Sequence, residues 1–172
     1  MRHLYRMCKL WKQHSSKLED KDAVFFAIIY HDIIYKPKRT DNEEMSLKYF
    51  IGKVLPHLKK LSKASSLQIA NHILASKHDD FSKVLWKNNK DTQYLLDFDL
   101  EVLGTEHLDV YDWYKSGVRQ EYKVYPDKLY KPGRKAVLES FLKKDKIYLT
   151  PEFKKREKTA RINLQNEINS YI

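Results

Sequence analysis

The chemistry of this chain concentrates in one apolar stretch, "FFAIIYHDIIYKP", Phe25 to Pro37, where His31 and Asp32 stand side by side among hydrophobic residues. Such a run reads as a buried helix, and burying a carboxylate is costly unless a partner compensates it. On a helix, adjacent side chains diverge by about 100°, yet both still reach a point lying between their directions. A divalent cation at that point neutralises the carboxylate and accepts an imidazole nitrogen and a carboxylate oxygen at about 2.0–2.2 Å. His3 and Asp99, each on another expected helix, are candidates to complete the set. The ligands are then two imidazoles and two carboxylates, with positions left open for water.

The elements that must carry these residues follow helical spacing, with only four glycines and few alternating stretches. The first helix is expected over about Arg2 to Gln13, with Leu4, Met7, Cys8 and Trp11 on one stripe. The second spans Asp20 to Tyr35 and stops before Pro37, since proline disfavours helix at the residue preceding it. The third opens at Thr40 or Asp41, with Glu43 and Glu44 three residues on as in a capping box, and ends near Pro56. A fourth covers Ser65 to Lys77 and turns Leu67, Ala70, Ile73 and Leu74 to the core. A fifth runs from Asp91 to Gly104, with the glycine as its C-terminal cap. Helices over Thr105 to Tyr122, over "PGRKAVLESFLKK", and from Pro151 with Thr150 as N-cap complete the chain. With no repeat, low-complexity tract or linker, the expectation is a single all-α domain over residues 1–172.

Composition bounds the function classes. At 172 residues with 42% hydrophobic content, the chain can bury one proper core as a globular protein. No run approaches the roughly 18 apolar residues of a membrane span, and the basic segment Met1 to Lys12 lacks the apolar block of a signal peptide. The single cysteine, Cys8, forms no internal disulfide, which suits a cytoplasmic protein. The net charge of +10 favours anionic partners. Because the lysines are spread along the chain, as on solvated helix faces, phosphorylated small molecules are favoured over nucleic acid.

In order, His3, the pair His31–Asp32 and Asp99 resemble the H…HD…D signature of the HD-domain superfamily of metal-dependent phosphohydrolases. "HDIIYKPKRTDNEEMS", "LDFDLEVLG", "PGRKAVLESFL" and "ARINLQNEI" are similar to one bacterial subfamily of HD phosphohydrolases, along nearly the whole chain. The resemblance implies an all-helical bundle around one metal centre, with His3, His31, Asp32 and Asp99 as ligands. "DFD" offers both Asp97 and Asp99. The family's context for its last ligand favours Asp99 and leaves Asp97 as a supporting partner or polar surface. The family also places a helix upstream of the first histidine, whereas only Met1 and Arg2 precede His3 here. Either the start is trimmed or the ion is held more weakly, since a ligand near a fraying terminus is poorly fixed.

Further roles come by analogy with the family. Glu43 is a general base or water-orienting carboxylate, unless it serves only the capping box, and Asn42 and Ser46 belong to its neighbourhood. Lys77 and His78 close the fourth helix, facing phosphate or a second ion. Some members carry two extra histidines between the dyad and the last aspartate, and His57, His72 and His78 lie in that interval. His72 and His78 are about 240° apart on a helix, so one ion is expected rather than two. Arg134, after Gly133, either clamps a phosphate with its planar fork or salt-bridges helices. Donors of these types suit Mn²⁺, Fe²⁺, Zn²⁺, Ni²⁺ or Co²⁺, and Mg²⁺ less obviously. The expected activity is hydrolysis of a phosphate ester, a nucleotide among them, by metal-activated water. The alternatives are a non-catalytic regulator that keeps the scaffold to bind nucleotide or nucleic acid, and a helical interaction module.

Overall fold

Few glycines and dense helical spacing give what they predict: an all-α chain. The computed structural model describes residues 2–79 and 82–171, and among them there are ten α-helices, short 3₁₀ and π turns, and no strand. None of the helices described is long and apolar enough to cross a membrane. The helices gather into two compact units, one ending at Asp99 and the other beginning at Leu100.

The first unit holds α1 (Arg2–His14), α2 (Lys21–Tyr30), α3 (Asn42–Tyr49), α4 (Lys63–Ala75), α5 (Ser82–Trp86) and α6 (Lys90–Leu100), whose last residue opens the second unit. Helix α2 packs against α1 and α4, and α3 also packs against α4. Asp20 caps α2 by accepting from the Ala23 N–H at 2.9 Å, a bond typically worth about 1 kcal/mol. The buried Asp91 carboxylate, at the start of α6, accepts from the Glu19 and Asp20 N–H groups at 2.9 and 2.7 Å. Ala23, Val24, Ala27 and Ile28 are fully buried on α2, and the same face brings His31, 4% exposed, into the core.

Several expected boundaries move. Helix α2 stops at Tyr30 rather than Tyr35, so His31 is its C-cap and Asp32 lies in the turn beyond. The capping box of α3 does not form: Asp41 holds the N-cap place, but its carboxylate takes the Arg39 guanidinium at 2.8 and 2.7 Å. On α4 the buried face is Ile69, His72, Ile73 and Ala75, while Leu67 is 63% exposed.

His72 gives the first unit a measurable response to pH. It is fully buried, with Nδ1 on the Thr92 hydroxyl at 2.8 Å. Burial outweighs the attraction of Asp91 and Asp20 and pushes its pKa from 6.5 down to about 4. An unfolded histidine therefore binds a proton that the folded one refuses, and stability falls as pH falls from about 6.5 to about 4. The expected loss is about 3 kcal/mol. Urea unfolding across that range checks it, and His72→Gln is expected to flatten the slope.

The second unit comprises a 3₁₀ turn (Glu101–Gly104), α7 (Leu108–Glu121), α8 (Asp127–Leu142), α9 (Pro151–Lys154) and α10 (Glu157–Asn169). The long helix expected from Pro151 is thus broken, and α10 packs on the 3₁₀ turn and on α8. Asn163 of α10 donates to the Leu103 and Thr105 carbonyls, both at 2.9 Å. Gly104 is not a left-handed cap, since no described glycine has positive φ. A Cβ there would lie 2.7 Å from both the Arg156 Cβ and the Tyr148 hydroxyl, so close approach demands the glycine.

Candidate metal centre

Three elements of the first unit converge on one point. His3 comes from the first turn of α1, His31 from the C-cap of α2 and Asp99 from the last turn of α6. Each offers a ligand atom, and these atoms lie within 4.8 Å of one another. The His3 Nε2 is 3.0 Å and the His31 Nε2 3.8 Å from the Asp99 Oδ1. The two rings meet edge to face, with centroids 5.7 Å apart.

The orientation of His31 is fixed from behind. Its Nδ1 faces the Ile28 carbonyl at 3.0 Å, so Nδ1 donates and Nε2 points toward Asp99. That Nε2 is buried and has no hydrogen-bond partner among the described residues. Burial opposes charge on this ring, but the Asp32 and Asp99 carboxylates outweigh it and push its pKa up to about 9. Burial likewise works against an ionised Asp99, yet hydrogen bonds from His3 and His78 hold its carboxyl well below the usual range. The point is thus lined by an ionised carboxylate, with a buried nitrogen aimed at it that an incoming cation would have to deprotonate. A cation with nitrogen and oxygen affinity matches both features, so the donor set fits a divalent ion.

The other candidate residues divide. Asp32 was expected as a buried ligand; instead it is 44% exposed, with Oδ2 3.4 Å from the His31 Nε2, and lies outside the three-residue group. The reason is the early end of α2, which turns Asp32 out at the surface. Within "DFD", Asp99 carries the cluster and Asp97 is fully buried, so Asp97 is not polar surface.

His78, expected to face the centre, does so from beyond α4, which ends at Ala75, so the helical angle from His72 does not apply to it. Its backbone is left-handed, with φ 56°, and its Nε2 meets the Asp99 Oδ2 at 2.8 Å. A left-handed non-glycine residue costs about 1 kcal/mol or more and recurs at functional sites. His72 is committed to Thr92, and His57 is exposed.

Glu43 is half-buried, and burial, reinforced by the charges of Asp32 and Glu44, holds its carboxyl above the usual range. It therefore sits in the field of the dyad. Lys77 pairs with Glu44 at 2.5 Å, tying the end of α4 to α3. Arg134 belongs to the second unit, where Glu167 receives its fork at 2.8 and 3.2 Å and the Tyr114 hydroxyl lies at 3.2 Å. That place matches the salt-bridging alternative, and the guanidinium is already engaged by a carboxylate.

Asn42 and Ser46 are both buried, but they face backbone rather than the His–Asp cluster. Their signal in the sequence is the i, i+4 spacing of two small polar residues on one face of α3. The Glu167 node, which also accepts from Tyr111 and Tyr171, has no signal in spacing at all. No family model, curated protein or solved structure significantly matches this chain.

Proposed function

We propose that this protein is a metal-dependent phosphohydrolase of the HD type, cytoplasmic, acting on a phosphate ester such as a nucleotide. The observation that carries the reading is the convergence of His3, His31 and Asp99, with the buried His31 Nε2 unpartnered among the described residues. A divalent ion held by these three residues, with Asp32 beside them, would polarise the phosphoryl oxygen and supply a nucleophile near neutral pH. The chain provides the rest. Glu43, with its raised pKa, takes the proton of the attacking water. His78, bonded to Asp99, orients that carboxylate and stands ready to give a proton to the leaving oxygen. Lys77 would offset phosphate charge only by leaving Glu44, with which it pairs, and the overall charge of +10 favours anionic substrates.

Turnover of a panel of phosphomonoesters and nucleotides, with Mn²⁺, Mg²⁺, Co²⁺ and Ni²⁺ in turn, tests the reading. Metal-dependent hydrolysis that His31→Ala abolishes is the expected result. No turnover with any ion, together with no ion bound, contradicts it. Nucleic-acid binding with a steep salt dependence, unchanged in His31→Ala, would favour the non-catalytic regulator instead.

A further inference from the structure

Two buried side chains of α3 each grip one residue of the segment that follows His31. Ser46, fully buried, accepts from the Ile34 N–H at 3.1 Å and donates to the Ile34 carbonyl at 3.2 Å. Asn42, 7% exposed, accepts from the Lys36 N–H at 2.9 Å and donates to the Lys36 carbonyl at 3.2 Å. Residues four apart on a helix share a face, so α3 satisfies the backbone of two alternate residues much as a neighbouring strand would.

The clamp competes with helix. Residues 31–35 contain no glycine or proline and continue the apolar run of α2. In a continued helix the Ile34 N–H would bond four residues back, to Tyr30. Here Tyr30 takes the Ile33 N–H, at 3.3 Å, and the Ile34 N–H goes to Ser46. The helix ends where the clamp captures the chain, and the dyad lies at that junction.

We propose that Asn42 and Ser46 are positioning residues for the candidate metal centre: their paired backbone hydrogen bonds hold the turn after His31 out of α2 and so place Asp32 beside the His31 Nε2. The functional part of this assignment rests on the metal reading, while the conformational part rests on the hydrogen bonds alone.

Mn²⁺ titration calorimetry and backbone NMR shifts of residues 31–36 test it in Ser46→Ala, Asn42→Ala and Ser62→Ala. Ser62 is the control: its hydroxyl caps α4 through the Ser65 N–H at 2.9 Å, a bond of the same kind remote from the dyad in sequence and not shared with the segment under test. Each α3 variant is expected to bind Mn²⁺ about ten-fold more weakly or worse, with residues 31–36 shifted toward helical values and Ser62→Ala unchanged. If Ser46→Ala does not fold, Asn42→Ala decides, being the less buried of the two. Wild-type affinity and unmoved shifts in the α3 variants overturn the positioning role and leave the metal reading intact. An equal loss in Ser62→Ala also overturns it. A wild-type protein that takes up no ion overturns the metal reading, and the positioning role with it.

Discussion

Asp99→Asn is expected to lower affinity for a divalent ion by more than about 100-fold, because even supporting partners of a metal ligand are worth roughly 10–100-fold. Asp99 is the group that three imidazoles share. Its Oδ1 lies 3.0 Å from the His3 Nε2 and 3.8 Å from that of His31, and its Oδ2 lies 2.8 Å from that of His78. Asparagine keeps the size but removes the charge that makes the point attractive to a cation. Without metal the same change costs some stability, since hydrogen bonds to charged groups contribute about 1.5–3 kcal/mol. Titration of the variant separates the two effects. A variant that is merely less stable but binds the ion normally would make Asp99 a structural partner of histidines.

The second large effect is expected in the other unit. Glu167 is buried at α10 and accepts the Arg134 fork at 2.8 and 3.2 Å, the Tyr111 hydroxyl at 2.8 Å and the Tyr171 hydroxyl at 2.9 Å. Burial, then the charge of Glu167, pushes both phenols up, so they remain donors. Glu167→Ala leaves a buried guanidinium without its counter-charge, and breaking such a pair costs about 3–5 kcal/mol. Arg134→Ala is expected to cost a similar amount for the mirror reason. Denaturant unfolding measures both. An Arg134→Ala protein of normal stability but weakened phosphate-ester binding would restore the phosphate-clamp expectation.

The pattern of what the sequence revealed follows from how local each feature is. Helical spacing and the scarcity of glycine act within a few residues, and they identify an all-α chain and most of its helices. With 7 histidines and 23 acidic residues in the chain, His3, His31 and Asp99 were legible as a set through their order, which resembles the H…HD…D signature, and not through residue type alone. Where helices end is less local. The apolar run through Tyr35 reads as continuous helix, yet it ends at Tyr30, and the Ile34 N–H goes instead to Ser46, 12 positions further along the chain. Asp32 is consequently exposed where a buried ligand was expected. His78 was expected near the centre from its place at the end of the fourth helix, and it meets Asp99, but through a left-handed residue after Ala75 that helical angles do not describe. Arg134 beside Gly133 suggested phosphate, but a carboxylate 33 residues downstream engages it, a pairing that spacing does not encode.

The metal centre itself is tested most directly by anomalous diffraction at the manganese edge from crystals grown with Mn²⁺. The expected result is one peak within bonding distance of the His3 Nε2, the His31 Nε2 and the Asp99 Oδ1, absent in His31→Ala. A map with no peak at that point in the wild-type protein would contradict it.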